Sequence, residues 1–273
     1  MGHPSRRQFL SSIAFGAGAL ALSGCGSSAN TAEEEKGDGA YKLVTPGVLT
    51  CVAELHFPPF DSMDEKTGEP IGFDIDVSNA LAKQLGLEVK WLPSQNFDTL
   101  VPTIKAGGTA DIALSAITIT DARLAEVDMT DPYLDSNQSI VVEKNSAETT
   151  ESLNDASKKI AVQSGTTGES WAQENLPDAQ IVPLDDVVSA MNGTVAGRYD
   201  AIVVDLPVSK YQIANSFSNL KVLEEIPTGE QYGMVVSKSN PGLTAAINEA
   251  LQAIKDDGTF AQIQTTWFGE EIQ

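Results

Sequence analysis

One stretch, Ile112–Arg123, does most to constrain how this chain can fold. It reads IALSAITITDAR, so an apolar, β-branched run passes into small and hydroxyl residues and then into a turn at Thr120-Asp121. This order predicts a buried strand followed by a helix that Asp121 caps. Arg123 then lies in the first helical turn, at a sheet edge, where a guanidinium can bind a carboxylate through two parallel hydrogen bonds. The alternative is an ordinary solvated arginine.

Strand-like and helix-like segments alternate before this stretch. Val48–Glu54 and Leu87–Pro93 have the composition of strands, while Val77–Leu85 and Phe97–Ala106 have apolar residues at helical spacing. The alternation predicts an α/β fold whose parallel strands are joined by right-handed crossovers. Cys51 lies in the first strand and is interpreted as a small buried hydrophobic residue.

A second α/β unit begins at Lys159–Gln163, a predicted strand that runs into the glycine and hydroxyl residues of Ser164–Gly168. The helix that follows would present free N–H groups to an anion such as a carboxylate. Ala201–Val204 is a further predicted strand and ends at Asp205. An acid at the tip of a buried strand can hold an ammonium group, and the alternative is a helix cap in front of Pro207.

The composition narrows the possible partners. The 273 residues carry a formal charge of −21, from 38 acidic and 17 basic side chains, and such a surface repels phosphate backbones, which argues against nucleic-acid binding. His3 and His56 are the only histidines, and His3 lies in a segment that we expect to be removed. A histidine-based metal site or a Ser-His-Asp triad would therefore depend on His56 alone. We expect no cofactor and no metal ion.

The N-terminal residues resemble an export signal. Ser5-Arg6-Arg7-Gln8-Phe9-Leu10 is similar to the twin-arginine motif, and the apolar stretch that follows is too short to span a bilayer comfortably. Leu22-Ser23-Gly24-Cys25 resembles a bacterial lipobox, whose cysteine receives the lipid. We therefore expect residues 1–24 to be a signal peptide and residues 25–40 to be a flexible tether, lipidated at Cys25. A plain transmembrane anchor is the alternative.

Seven segments of the mature chain match the motifs of one family, in the family's order, from residue 48 to 269. They are Phe57-Pro58-Pro59-Phe60, Gly72-Phe73-Asp74-Ile75-Asp76, Ala110–Arg123, Gln163–Thr167, Tyr199-Asp200-Ala201, Gln231-Tyr232-Gly233, and Gly258-Thr259-Phe260 through Trp267-Phe268-Gly269. With these motifs the chain resembles the extracellular solute-binding proteins of polar amino-acid ABC transporters, of the glutamine-, histidine- and arginine-binding type.

The resemblance implies a two-lobed periplasmic-binding-protein fold of type II, in which each lobe is a mixed sheet flanked by helices and ligand is held in the cleft. Lobe 1 would comprise residues 41–133 and 232–273, and lobe 2 residues 138–227. Two strands, at residues 134–137 and 228–231, would form the hinge about which ligand closes the lobes.

The resemblance also implies a binding site for a zwitterion. Arg123 matches the family's arginine that binds the ligand α-carboxylate, helped by Thr118 and by N–H groups of the Thr166-Thr167 turn. Asp205 matches the aspartate that takes the α-ammonium, with the carbonyl of Ala116 nearby. Each ligand charge would thus meet an opposite charge, which offsets the cost of burying it.

Four further residues are expected to meet the ligand side chain. Phe57 and Phe73 match aromatic residues that sandwich it in the family. Glu54 stands where the family often has an aspartate, and Gln163 replaces a lysine of some glutamine binders. An acid at position 54 with no lysine at position 163 favours arginine or lysine as the ligand, stacked on Phe57 by a cation–π contact. Glutamine is the alternative ligand. His56 is expected to face solvent.

The function implied is that of a monomeric, lipid-anchored receptor outside the cytoplasm that delivers a polar L-amino acid to an ABC permease, and not that of an enzyme. Cyclohexadienyl dehydratases also resemble these proteins, so an enzyme on the same fold is the alternative. Glu54 would supply its proton donor, but Asp205 would oppose a second ligand carboxylate. A receptor's sensor domain is not expected, because no transmembrane helix or kinase region follows Gln273.

Overall fold

The computed structural model describes residues 41–271. The predicted signal peptide, the tether and the lipidation site Cys25 lie outside the described residues. Within them, two five-stranded sheets and one three-stranded sheet are flanked by helices. None of the helices in residues 41–271 combines the length and the apolar character needed to cross a membrane.

The first sheet carries both ends of the described chain. Numbered in chain order, its strands and helices are β1 (Val48–Val52), α1 (Phe73–Leu85), β5 (Glu88–Trp91), α2 (Leu100–Ala106), β6 (Ile112–Ala113), α3 (Asp121–Glu126), β7 (Asp128–Met129), β13 (Val235–Val236), α8 (Pro241–Asp256) and α9 (Thr259–Phe268). The strand order is β5-β1-β6-β13-β7. β1 is parallel to β5 and β6, whereas β13 is antiparallel to its neighbours. A short 3-10 turn, Phe97–Thr99, precedes α2.

The second sheet contains the middle of the chain. Its elements are β8 (Leu134–Glu143), α4 (Thr150–Leu153), β9 (Lys159–Gln163), α5 (Thr167–Asn175), β10 (Gln180–Leu184), α6 (Val187–Val195), β11 (Ala201–Asp205), α7 (Leu206–Asn215) and β12 (Leu220–Tyr232). The strand order is β10-β9-β11-β8-β12, and β9 is parallel to both of its neighbours. The small third sheet joins β2 (His56–Phe57), β3 (Asp61–Met63) and β4 (Pro70–Ile71).

Two long strands, β8 and β12, carry the chain from the first sheet into the second and back. They are antiparallel, and their register shifts between Ile226 and Glu230. Beyond this shift Glu230 pairs with Ser136, and Tyr232 also forms a bridge to Thr118 in the loop after β6. The two strands therefore bring Glu230 and Tyr232 beside a loop of the first sheet.

The hydrophobic core follows the apolar faces seen in the sequence. Leu243, Ile247, Leu251 and Ile254 recur at helical spacing in α8 and are all buried in the largest core cluster. Burial of one such side chain stabilises the fold by about 1.5–3 kcal/mol. Cys51 is a free, fully buried thiol in β1, as predicted.

The predicted N-terminal cap of α3, the helix that begins at the end of Ile112–Arg123, was wrong by one residue. The hydroxyl of Thr120 accepts a hydrogen bond from the N–H of Arg123 at 3.2 Å, so Thr120, not Asp121, caps α3. Asp121 is the first helical residue, where its negative charge interacts favourably with the positive end of the helix dipole.

The chain between β12 and β13 belongs to neither sheet. β12 ends at Tyr232, and β13 covers only Val235–Val236. Between them the N–H of Gly233 donates to the carbonyl of Ile117 at 3.0 Å, outside either sheet ladder. The chain thus leaves the crossing strand before it joins the first sheet.

Candidate functional site

A small cavity lies where loops after β6, β9 and β11 converge. Its volume is about 10 Å³, which is room for about one water molecule and well below the range of small-molecule sites. Eight of the ten predicted ligand-binding residues line it, whereas Glu54 and Phe73 do not. Its lining residues are Phe57, Phe97, Ala116, Thr118, Arg123, Gln163, Thr166, Thr167, Val187, Val203, Val204 and Asp205. The cavity therefore draws on both five-stranded sheets.

The guanidinium of Arg123 spans the two sides of the cavity. Its Nη1 donates to the carbonyl of Thr118 at 2.7 Å, and its Nη2 donates to the carbonyl of Gly165 at 3.1 Å. The guanidinium carbon lies 5.3 Å from the centre of the Phe97 ring. Burial lowers the pKa of Arg123, which nearby Asp205 raises again in part. A guanidinium has five N–H donors, so these two bonds leave donors for a carboxylate.

Asp205 occupies the position before α7 but does not cap this helix with its side chain. Its Oδ1 accepts from Nε2 of Gln138 at 2.5 Å, and its Oδ2 accepts from the hydroxyl of Tyr232 at 2.5 Å. Burial, followed by the negative charge of Glu230, raises the pKa of Asp205 to about 6. The side chain is therefore a buried carboxylate that is mostly ionised at neutral pH and faces the cavity.

The backbone at Ala116 adopts a conformation that is uncommon for a residue other than glycine, with φ +49°. Its N–H donates to Oδ2 of Asp74 at 2.8 Å, and the other oxygen of Asp74 accepts from the hydroxyl of Tyr133 at 2.9 Å. Burial raises the pKa of Asp74 to about 7. Asp74 belongs to a motif quoted from the sequence, but its role in holding the cavity wall was not predicted.

Two threonines begin α5 at the opposite wall. The hydroxyl of Thr166 accepts from the N–H of Glu169 at 3.1 Å and so caps the helix. The hydroxyl of Thr167 lies 3.5 Å from that of Thr118 and accepts from Nε2 of Gln138 at 3.2 Å. The hydroxyl groups of the two sheets thus meet at one edge of the cavity.

Glu54 and Gln163 form a buried pair at another end of the cavity. Nε2 of Gln163 donates to Oε2 of Glu54 at 2.7 Å and to the carbonyl of Asp185 at 3.0 Å. Oε1 of each side chain has no hydrogen-bond partner. Burial and then Asp61 raise the pKa of Glu54. Gln163 lines the cavity and Glu54 lies behind it. The pair therefore has two acceptor oxygens without a donor. His56 next to it is exposed, as predicted.

Phe73 lies away from the cavity, so its expected role beside the ligand side chain is not supported by its position. It has no exposed surface and packs on Phe60, Tyr133 and other aromatic rings of the core. The second aromatic ring of the cavity is Phe97, in the turn before α2. Phe97 follows a polar segment after a strand, as Phe57 does, but this local pattern does not tell which aromatic ring faces the cavity.

Comparison with known proteins identifies the family of this chain. The family model of bacterial extracellular solute-binding proteins, family 3, matches residues 49–270. The chain belongs to this family. This solute-binding protein is 31% identical to a probable histidine-binding protein of Neisseria gonorrhoeae, over 93% of this chain and 92% of that protein.

Two solved structures resemble this solute-binding protein closely. One is an ancestral arginine-binding protein bound to glutamine, with 36% identity and a TM-score of 0.76, covering 83% of this chain and 100% of that chain. The other is an ancestral amino-acid-binding protein described as a precursor of cyclohexadienyl dehydratase, with 36% identity and a TM-score of 0.76, covering 81% and 96%. They confirm the predicted type II fold, and the family match and the curated relative confirm a solute-binding protein rather than an enzyme.

Proposed function

We propose that this solute-binding protein holds a polar L-amino acid in the cavity and delivers it to an ABC permease, with arginine or lysine preferred to glutamine. The observation that carries the proposal is that two side chains of opposite charge, the half-buried Arg123 and the buried Asp205, line one cavity. A free amino acid carries one carboxylate and one ammonium, so it can pair with both at once.

The choice of side chain rests on Glu54 and Gln163. Their unpaired Oε1 atoms are buried acceptors, and such an atom left without a donor costs about 1–3 kcal/mol. An arginine side chain has five donors and no acceptor, whereas a glutamine side chain presents both. The carboxyl group of Glu54 further favours a cation, because a cation beside it would stabilise its ionised form. Phe57 and Phe97 offer flat walls for the aliphatic part of either ligand.

We further propose that residues 134–137 and 228–231 act as the hinge between lobe 1 (residues 41–133 and 232–273) and lobe 2 (residues 138–227). In support, the bond from Arg123 to the carbonyl of Gly165 joins parts of the chain that belong to different sheets. A ligand that binds both sides would stabilise the closed arrangement.

The proposal is tested with the twenty L-amino acids, by thermal shift and then by calorimetry. A ligand at about 100 times its Kd stabilises the folded state by about 2.7 kcal/mol, so at least one cationic amino acid is expected to raise the melting temperature. If none of the twenty does so, the proposal is wrong.

Substitutions at the two charged residues test whether the amino acid binds at this site. Arg123→Ala and Asp205→Asn each leave a buried ligand charge unpaired, which costs about 3–5 kcal/mol and weakens binding by about 100-fold or more. Arg198→Ala and Asp178→Asn change exposed side chains and serve as matched controls that bind normally. Unchanged affinity in Arg123→Ala or Asp205→Asn would remove that residue from the site.

We also propose that the protein works as a monomer anchored to the cell membrane through a lipid on Cys25. The support is the resemblance of Leu22–Cys25 to a lipobox. Cys25→Ala is expected to move the protein from the membrane fraction to the soluble fraction, because the acyl chains that hold it would be absent. Persistence in the membrane fraction would contradict lipid anchoring, and light scattering of the released protein measures its oligomeric state.

A further inference from the structure

Glu230 connects three parts of the molecule at the edge of the cavity. It belongs to the crossing strand β12, and its Oε2 accepts from Nε2 of Gln138 on β8 at 2.9 Å. The same oxygen lies 3.5 Å from the hydroxyl of Thr118, in the loop after β6. A single carboxylate therefore contacts both crossing strands and the first sheet.

The amide of Gln138 joins Glu230 to Asp205. Gln138 is fully buried, and its Nε2 also donates to Oδ1 of Asp205 at 2.5 Å. An amide nitrogen carries two hydrogens, and the two acids share them with the hydroxyl of Thr167, 3.2 Å away. Two carboxylates thus share one neutral donor group at the end of the cavity where the ligand ammonium is proposed to bind.

The charges that face Asp205 come from two elements. Glu230 and the hydroxyl of Tyr232 belong to β12, and Arg123 belongs to α3, while β8 contributes only the neutral Gln138. One cation among two carboxylates leaves a negative charge for the ligand ammonium to neutralise. The charge of Glu230 also acts, after burial, to raise the pKa of Asp205.

We propose that Glu230 is a positioning residue of the amino-acid site, which sets the charge at Asp205 through Gln138 and ties the ammonium end of the site to the crossing strand β12. The inference rests on the proposed function, in which Asp205 receives the ligand ammonium. It assigns Glu230 no contact with the ligand. Its negative charge makes binding of a cationic group at Asp205 more favourable.

The charge of Glu230 has a consequence that can be measured. Binding of an ammonium requires the ionised form of Asp205, so affinity falls as the pH drops below the pKa of Asp205, about 6. Between pH 8 and pH 5 the affinity is expected to fall about tenfold for this reason. Glu230→Gln keeps the shape and an acceptor for Gln138 but removes the charge. The pKa of Asp205 then moves down, and the fall in affinity becomes smaller.

The test compares the wild-type protein, Glu230→Gln and Glu225→Gln, whose acid is exposed on the same strand. Calorimetry with L-arginine from pH 5 to pH 8 is expected to show weaker binding by Glu230→Gln at pH 8, with a smaller ratio of Kd at pH 5 to Kd at pH 8. Glu225→Gln is expected to match the wild type. An unchanged ratio in Glu230→Gln would overturn the inference. Titration of Glu54 is common to all three proteins and cancels in the comparison.

A second readout needs no ligand. The carboxyl carbon of Asp205, followed by nuclear magnetic resonance in the ligand-free protein, is expected to titrate at lower pH in Glu230→Gln than in the wild type. An equal midpoint in both proteins would overturn the inference, whatever the protein binds. If the midpoint moves but no amino acid binds the wild type, the proposed function fails and the role of Glu230 stands. If amino acids bind and the midpoint does not move, only the inference fails.

Discussion

Nε2 of Gln163 donates to Oε2 of Glu54 at 2.7 Å, and this bond joins the loop after β1 in the first sheet to the end of β9 in the second. The bond uses one carboxyl oxygen of Glu54. The other oxygen of Glu54 and the amide oxygen of Gln163 have no hydrogen-bond partner, so two buried acceptors remain beside the cavity. The pair therefore links contact between the two sheets to the chemistry that would select the ligand side chain.

Glu54→Gln is expected to separate the two candidate ligands. The change removes the carboxyl group that a guanidinium would ionise and pair with, and it places amide donors there instead. Affinity for L-arginine is therefore expected to fall by about 10- to 100-fold, the equivalent of a hydrogen bond to a charged group. Affinity for L-glutamine is expected to change little. Calorimetry with both ligands measures the difference, and Glu69→Gln, an exposed acid, is the control. Equal losses for both ligands would argue against a cationic pocket.

Two phenylalanines are expected to give opposite results. Phe97 lines the cavity and lies under the guanidinium of Arg123, whereas Phe73 is enclosed in the core. Phe97→Leu is expected to weaken amino-acid binding by about 3- to 30-fold, because an aromatic wall contributes about 0.5–2 kcal/mol. Phe73→Leu is expected to lower the free energy of unfolding by about 1–3 kcal/mol and to leave affinity unchanged. Calorimetry and urea unfolding measure the two effects, and stronger loss of affinity in Phe73→Leu would contradict the assignment.

The contrast between these rings shows how far the sequence could predict the structure. Lys159–Gln163 was predicted to the residue, because a buried strand has a pattern that local sequence carries. Arg123 and Asp205 could be found because each follows the end of a predicted strand. Which of two aromatic rings faces the cavity depends on tertiary packing, which no local pattern encodes.

Gln138 and Glu230 could not be found from the sequence for a related reason. Both are polar residues within long strands, and neither belongs to a turn, a cap or a helix face. They meet because β12 pairs with β8 across a register shift, between residues 92 positions apart. Strand register of this kind is set by the folded molecule as a whole.

The buried acid Asp74 predicts how stability depends on pH. Burial raises its pKa from the ordinary 3.8 to about 7, and burial raises that of Asp61 to about 8. The folded state therefore keeps protons that the unfolded state releases. For each acid, the free energy of unfolding falls as the pH rises from the ordinary pKa of 3.8 to the raised pKa of the folded state. The free energy of unfolding is expected to rise from pH 8 to pH 5, by up to about 1.4 kcal/mol per pH unit for each group.

Urea unfolding of the ligand-free protein at pH 5, 6, 7 and 8 measures this slope. Asp74→Asn is expected to be less stable at every pH, since an amide cannot accept from both Ala116 and Tyr133. It is also expected to have a shallower pH dependence, because one titrating group is gone. A slope of the opposite sign in the wild type would contradict the buried, protonated state of these acids.

Gly165 offers a test of closure that leaves the ligand contacts in place. It has φ +78°, and a Cβ added there would lie 2.8 Å from Cβ of Asp98, in the turn before α2. Gly165→Ala is expected to weaken amino-acid binding by about tenfold or more, because the new methyl group opposes the approach of the two sheets. Gly197→Ala has a similar φ of +69° but open space around its Cβ, so it shares the backbone cost of about 1–2 kcal/mol without the clash.

The neighbouring residue supplies the decisive comparison for this glycine. Asp98→Gly removes the nearest atom that the new methyl group would meet and leaves Cα of residue 98 at 3.1 Å, so the double variant Gly165→Ala with Asp98→Gly is expected to recover part of the lost affinity. Asp98→Ala keeps the Cβ and is expected to give no recovery. Calorimetry with L-arginine, together with melting curves of the ligand-free variants, separates weaker closure from lower stability. Equal affinities in Gly165→Ala and Gly197→Ala would show that this contact does not limit closure.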